Sequence, residues 1–469
     1  MVASEAAPWA RTGGLGEVLG ALPAALERLG HEVRVLLPRY GSIDLTGARP
    51  AGENRTIWLG PERYDYSIEC LPEHPRLYFL DCPPLYERNG IYGDSKGEYP
   101  DNHIRFAVLA RAALDVARYL FRPHVLHCHD WQAALAPVYL ATSFARDPTV
   151  LAVRTLLTIH NLGYQGLFPV AALAELGLDS GLFHPGGLEF YGSLNVLKGG
   201  ILFTDALSTV SRRYASEILT PEYGFGLDGV LRTRGSALTG ILNGIDYGLW
   251  NPETDPYIAA HYSADDLSGK AVCKRDLIAE FGLPAAALER PLIGMVTRLA
   301  AQKGVDLVLD AAGRLVAEEL SLLVLGTGDA LFEEGFRDLA RRHPSKIGVR
   351  IGFEEPLAHR LEAGSDLFLM PSRYEPCGLN QIYSLRYGAV PVVRATGGLD
   401  DTIGEDTGFK FAEASSEALL AAVETACRRF QDRAGWAAMM RRGMQRDFSW
   451  SAPAAEYAAL YERLARLNP

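Results

Sequence analysis

Two cations five residues apart, Arg298 and Lys303, follow the apolar stretch PLIGMVTRL (291–299) and stand just before Gly304 and a segment with helical spacing. Positive charges fixed between a strand end and a helix start suit a departing diphosphate. The bland alternative is a solvated basic loop. Further on, PSRYEPCGLNQIYSLRYG (371–388) puts Glu375 in a turn and Gly378-Leu379 at a helix start. The amides there could receive a phosphate, and the carboxylate could accept hydrogen bonds from sugar hydroxyls. Equally, Glu375 could be a surface turn residue and Cys377 a buried filler. In the first half His127, Cys128, His129 and Asp130 include metal-ligand types. Successive strand residues point to opposite faces and no fourth ligand has a diagnostic spacing, so no metal is expected there. His160 ends the stretch TLLTIHN (155–161), where a ligand contact is a better reading than a satisfied core histidine.

A glycine turn, TGGL, occurs twice, as Thr12-Gly13-Gly14-Leu15 and as Thr396-Gly397-Gly398-Leu399. Each follows a short apolar stretch and leads into a helical segment, which is how a strand-to-helix loop reads. Glycine serves there where a side chain would block a ligand or force a strained dihedral. Gly14, Gly16 and Gly20 loosely match a dinucleotide fingerprint. However, about nine residues separate the fingerprint from its strand, and the next strand ends in Pro38-Arg39-Tyr40 with no acidic residue for a ribose. A nicotinamide-dependent oxidoreductase is therefore a poor fit.

The elements that must position these residues alternate. EVRVLLP (32–38), LYFLD (77–81), HVLHCHD (124–130), TLLTIHN (155–161) and ALSTVS (206–211) form one β series. PLIGMVTRL (291–299), SLLVLGTGD (321–329), KIGVRIGF (346–353), DLFLMPS (366–372) and VPVVRAT (390–396) form a second. Strands this apolar, separated by helical spacing, imply an α/β fold with parallel sheets covered on both faces. At 469 residues the chain exceeds one hydrophobic core. The Gly, Pro and Asn of LNGIDYGLWNPETDPY (242–257) mark the crossover. The expected division is a domain over 1–245, a second over 246–448, and a tail over 449–469. The tail carries Tyr457, Leu460, Tyr461 and Leu464 at helical spacing and is expected to pack back on the first domain. Ligands of open parallel sheets bind beyond the carboxyl ends of the strands, so two such sheets are expected to face one cleft.

A net charge of -11 disfavours a nucleic-acid partner, since phosphate backbones need a basic face. No apolar run approaches the length of a membrane span, and Met1-Val-Ala-Ser-Glu lacks the marks of a secretory leader. A cytoplasmic protein is expected. The six cysteines show no paired spacing and read as reduced thiols. Nothing in the sequence discloses an oligomeric state.

Several stretches carry a resemblance: RTGGLGEVLGALPAAL, HCHDWQAALAP, TIHNLGYQG, LNGIDYGLWNPETD, TRLAAQKGVDLVLDA, PSRYEPCGLNQIYSLRYGAVPVVRATGGLDDT and DFSW. In order and spacing, and over essentially the whole chain, they resemble the bacterial glycogen synthase family, glucosyltransferases of the starch-synthase type. The resemblance implies a GT-B fold of two Rossmann-like domains. It also implies transfer of glucose from ADP-glucose to the nonreducing end of an α-1,4-glucan with retention, needing no cofactor. On the matching positions Arg298 and Lys303 would bind the donor diphosphate, Glu375 the transferred glucose, and Gly378 and Leu379 the phosphate. His160 and Asn161 would lie beside the anomeric carbon. Asp130 and Asn243 would be polar groups of the cleft, Tyr92 of NGIYGD a sugar contact, and Cys377 the thiol beside the donor. Arg11, Thr12, Gly13, Gly14, Thr396 and Gly397 would line the two glycine turns at the substrate. Tyr383 stands where many related GT-B transferases carry a second glutamate, as in this family. Two departures are visible. Arg11 replaces the usual lysine, and the family has several more apolar residues before the VASE stretch, so the first strand is expected to be short and the natural start to lie upstream. A glucan-binding homologue without activity is the rival reading, which the presence of Arg298, Lys303, Glu375 and His160 disfavours.

Overall fold

The structure, a computed structural model, describes residues 1–467 and divides into two compact units. One comprises Met1–Gly244 with the segment from Trp450 onward, and the other Ile245–Ser449.

The first unit is built on a mixed sheet. Strand Val35–Pro38 pairs in parallel with Leu77–Asp81, which continues antiparallel into Glu62–Cys70. Val125–His129, Arg154–Ile159, Ala206–Thr209 and Leu238–Gly240 form a parallel set. The residue that joins the two sets is Val2. It bridges Leu36 on one side and Cys128 on the other, with its amide donating to His127 O at 2.8 Å and its carbonyl accepting from His129 N at 3.1 Å. The Met1 amine donates to Arg34 O at 2.7 Å. Met1–Ala3 thus occupies the first-strand position, and below it a cavity of about 450 Å³ opens between the flanking strands, bordered by Val33, Leu36, Val125 and His127. The short first strand expected from the sequence is present. Counting it, the parallel strands run 3-2-1-4-5-6-7 across the sheet, and the order reverses between Met1–Ala3 and Val125–His129. A ligand belongs beyond the carboxyl ends of those two strands.

The second unit is a six-stranded, wholly parallel sheet. Its strands in chain order are Leu292–Val296, Ser321–Gly326, Ile347–Ile351, Leu367–Met370, Val390–Arg394 and Phe409–Phe411, and across the sheet they run 3-2-1-4-5-6. Alternation explains why these strands read as continuous apolar runs. Leu322 and Val324 pack into a cluster with Leu307, Val308 and Phe336 on one face. Leu323 and Leu325 meet Leu277, Leu357 and Leu361 on the other. Both faces are therefore covered, as a Rossmann-like sheet requires. The order reverses between Leu292–Val296 and Leu367–Met370, the strands that lead into Arg298 and Glu375.

All ten sequence-derived strands exist; Val35–Pro38 and Leu77–Asp81 end with their apolar runs, and the other eight end one to three residues earlier. The antiparallel Arg55–Leu59 and Glu62–Cys70 hairpin and the short Phe409–Phe411 strand were not legible, because their half-exposed residues give no continuous apolar signal. Helix Ser451–Ala465 buries Ala454, Tyr457, Leu460 and Leu464 in the core of the first unit. No helix among the described residues is long and apolar enough to cross a membrane.

Candidate active site

In the second unit the strand Leu292–Val296 gives way to Thr297, Arg298 and a single tight turn, Ala301–Lys303. Gly304 then enters helix Val305–Leu315 at φ 65°. No other residue fits, because a Cβ there would lie 2.1 Å from Pro371 O. That contact presses the cation loop against the neighbouring loop, and Lys303 Nζ donates to Glu375 Oε2 at 2.6 Å. Ser372 Oγ donates to the same oxygen at 2.9 Å. Glu375 is buried, which rules out the surface-turn reading. Arg298 is exposed and donates to Gln302 Oε1 at 2.9 Å. Cys377 is buried, Gly378 turns the chain at φ 69°, and Leu379 precedes helix Asn380–Arg386.

The second TGGL turn supports this loop from behind. A Cβ on Gly397 would lie 1.9 Å from Glu375 O, one on Gly398 would lie 2.0 Å from Cys377 O, and Gly398 N donates to Glu375 O at 3.1 Å. Thr396 is fully buried. Gly397 takes a left-handed conformation, φ 46°, which is the strained-dihedral use of glycine expected from the sequence, and here the close approach is of backbone to backbone.

In the first unit the first TGGL turn is held by a residue that sequence reasoning missed. The buried carboxylate of Glu5 accepts from Thr12 N at 2.6 Å, Thr12 Oγ1 at 2.7 Å, Gly13 N at 3.2 Å and Tyr92 Oη at 2.5 Å. One carboxylate therefore sets both the turn and the tyrosine, which the sequence places 87 positions from it. Burial, reinforced by Glu5, pushes the Tyr92 phenol well above its ordinary range, so it remains a donor. Arg11 donates to Glu17 at 2.7 Å. A Cβ on Gly13 would meet nothing within 4 Å, so here the space is open.

Strand Val125–His129 ends at Asp130, which takes a left-handed conformation, φ 55°, and starts a short helix. Its Oδ1 accepts from His160 N at 2.6 Å, which fixes the His160-Asn161 corner. Burial raises the Asp130 carboxyl to about 7, against the lowering effect of the His160 and Asn161 amides. Burial lowers His160 to about 3, so its ring is neutral. His129, one residue before the end of the apolar stretch, was read only as a rejected metal ligand. Its Nδ1 lies 3.0 Å from His160 Nε2, and the strand alternation that places His127 and His129 on one face was the available signal. Asn243 is buried, and its Oδ1 has no hydrogen-bond partner among the described residues. An acceptor left in that state is costly unless a ligand supplies the donor.

The candidates divide between the two units. Arg11, Thr12, Gly13, Gly14, Tyr92, Asp130, His160, Asn161 and Asn243 belong to the first, and Arg298, Lys303, Glu375, Cys377, Gly378, Leu379, Thr396 and Gly397 to the second.

Comparisons with known proteins bear on the family and the fold. The starch synthase catalytic domain family matches residues 1–233, and the glycosyl transferases group 1 family matches residues 282–438. A glycogen synthase of Koribacter versatilis is 49% identical over 475 residues, covering 99% of this chain and 98% of the relative. One from Anaeromyxobacter dehalogenans is 50% identical over 483 residues, covering 99% of each. Among solved structures, the catalytic domain of starch synthase IV from Arabidopsis thaliana, bound to ADP and acarbose, superposes with a TM-score of 0.90 at 33% identity over 99% of this chain and 98% of that one. A sucrose-phosphate synthase from Thermosynechococcus elongatus, 17% identical with a TM-score of 0.63 and covering 99% and 98%, shares the fold.

Proposed function

Because the chain belongs to the starch and glycogen synthase family of glycosyltransferases, with its GT-B fold, we propose that it extends glycogen in the cytoplasm by moving glucose from ADP-glucose to the nonreducing end of an α-1,4-glucan, with retention. The observation that carries the reading is half-identity to glycogen synthases along the full length, with the cation loop and Glu375 at a strand-order reversal.

The chemistry is electrostatic. As the bond from the anomeric carbon to the diphosphate breaks, negative charge grows on the leaving oxygens, and Arg298, Lys303 and the amides at Gly378 and Leu379 stabilise it. Glu375, held by Lys303 and Ser372, accepts hydrogen bonds from hydroxyls of the transferred glucose. His160 stands beside the anomeric carbon. A protonated imidazole there would oppose an oxocarbenium-like state, and burial keeps the ring neutral. The acceptor hydroxyl attacks the face the diphosphate leaves, and its proton passes to the departing phosphate oxygen. Retention then needs no carboxylate nucleophile. Incorporation of labelled glucose into glycogen, measured with ADP-glucose and UDP-glucose side by side, tests the reading. Incorporation from ADP-glucose is expected, and none from either donor would refute the reaction.

Asp130 gives the reaction a pH dependence. Only its carboxylate accepts fully from the His160-Asn161 backbone, so kcat/KM should rise as pH passes through about 7 and level off above it. Asp130→Asn should lose that acid limb. The linkage to stability has the opposite sign. The folded carboxyl has a higher pKa than the unfolded one, so its contribution to stability is fully present below about 4 and is lost as pH rises to about 7. A wild-type profile that is flat between pH 6 and 8 would remove Asp130 from the site.

A further inference from the structure

Among the described residues three that are not glycine take a left-handed conformation: Asp130, Tyr191 and Phe225, at φ 55°, 49° and 47°. Asp130 belongs to the site already described. The other two are aromatic, and each is followed by a left-handed glycine, Gly192 at φ 83° and Gly226 at φ 81°. Tyr191 and Gly192 are the central pair of the tight hairpin between Glu189–Phe190 and Ser193–Asn195. Asn-Gly or Asp-Gly is the favoured pair in such a turn, because a side chain at the first position works against the backbone it must adopt. A tyrosine gives this turn nothing, and the residue is 85% exposed. Backbone held in a disfavoured region to present a side chain to solvent is a functional signature.

The two turns abut. A Cβ on Gly226 would lie 2.9 Å from Phe190 Cζ and 3.4 Å from Tyr191 Cε2, and Phe190 meets Tyr191 edge-on at 4.7 Å between ring centroids. Both are tied to the loop that carries the site. The buried Gln165 donates from Nε2 to Phe225 O at 3.1 Å and to Leu162 O at 3.2 Å, and its Oε1 accepts from Asn195 Nδ2 at 2.6 Å. The same loop exposes Tyr164, whose amide donates to Asn161 O at 3.2 Å. Exposed aromatics thus stand on the His160 loop itself, at Tyr164, and on the two turns tied to it, at Phe225 and Tyr191.

We propose that Tyr191 and Phe225, together with Tyr164, form a platform that holds the α-glucan acceptor beyond its reacting end. The inference rests on the proposed glucosyl transfer and adds a subsite to it. The C–H faces of glucopyranose rings pack on aromatic rings, and rigid aromatic side chains give contact area at a small entropic cost. A polymer acceptor repeats the same ring, so a row of such surfaces engages successive residues of one chain.

The test uses Tyr191→Asn, Phe225→Asn and the double variant, since asparagine removes the ring and suits the left-handed turn. Trp58→Ala, at another exposed aromatic of the first unit, is the control. Binding to glycogen and maltoheptaose is measured by affinity electrophoresis without donor, and transfer by steady-state kinetics on glycogen and maltotriose. The double variant should unfold at or above the wild-type temperature, bind glycogen weakly and raise its KM about tenfold, with a smaller loss on maltotriose. A folded double variant that binds and uses glycogen like the Trp58→Ala control overturns the platform. So does a wild-type protein that self-associates, where the double variant loses the self-association and keeps glucan binding, which would assign the patch to a second copy. A wild-type protein that transfers no glucose, yet loses glucan binding on these substitutions, overturns the reaction and keeps the platform.

Discussion

Lys303→Ala should lower kcat by about two to three powers of ten, the loss expected when one preorganised contact to developing charge is removed. The donor KM should move by less than tenfold, because Arg298 and the backbone amides still bind the ground-state diphosphate. The size of the effect follows from what Lys303 does twice. Its ammonium lies 2.6 Å from Glu375 Oε2, so the substitution withdraws a charge from the leaving group and also strands a buried carboxylate with Ser372 as its remaining partner. Breaking such a pair costs about 3–5 kcal/mol, enough to lower Tm by several degrees. The two roles separate in a double variant. Lys303→Ala with Glu375→Gln removes the stranded charge, so Tm should recover while kcat stays low. If Lys303→Ala turns over at the wild-type rate, Lys303 stabilises no charge on the leaving group; if the double variant regains kcat, Lys303 acts through Glu375 alone; either result makes the assignment to the diphosphate wrong.

That pair also marks the limit of what the sequence discloses. Arg298 and Lys303 stand out in the sequence as a candidate anion site because the end of an apolar run, two cations and a glycine fall within seven residues. Glu375 alone stayed ambiguous, since its burial comes from Gly304 pressing on Pro371 and Gly397 pressing on Glu375 itself, contacts between segments far apart in the chain. Glu5 and His129 were missed for the same reason. Nothing near Glu5 in sequence announces that it will take hydrogen bonds from Thr12, Gly13 and Tyr92. Most of the strands were legible because they are buried on both faces, while the Arg55–Cys70 hairpin, with half-exposed residues, was not. The aromatic turns at Tyr191 and Phe225 were invisible, because backbone handedness leaves no trace in composition.

The repeated TGGL turn gives the sharpest contrast between local sequence and tertiary role. Gly397→Ala should destabilise the second unit, lowering Tm by roughly 5 °C or more, and reduce kcat/KM at least a hundredfold. The new Cβ would sit 1.9 Å from Glu375 O at φ 46°, a conformation an alanine resists, so the Glu375–Cys377 loop has to move. Displacing a positioning loop by an ångström is enough to cost that much rate. Gly13→Ala should behave differently. Gly13 is extended, φ -168°, and its new Cβ would meet no atom of the protein within 4 Å. Tm should stay within about a degree of wild type. If the open space at Gly13 is where donor or acceptor approaches the backbone, the same substitution should raise a substrate KM about tenfold, with kcat less affected. Thermal melts and steady-state kinetics on the two variants decide it. A Gly13→Ala protein with wild-type KM values for both substrates would show that nothing approaches this turn. A Gly397→Ala protein with wild-type Tm and activity would show that the Glu375 loop yields without consequence, contrary to the packing that holds it.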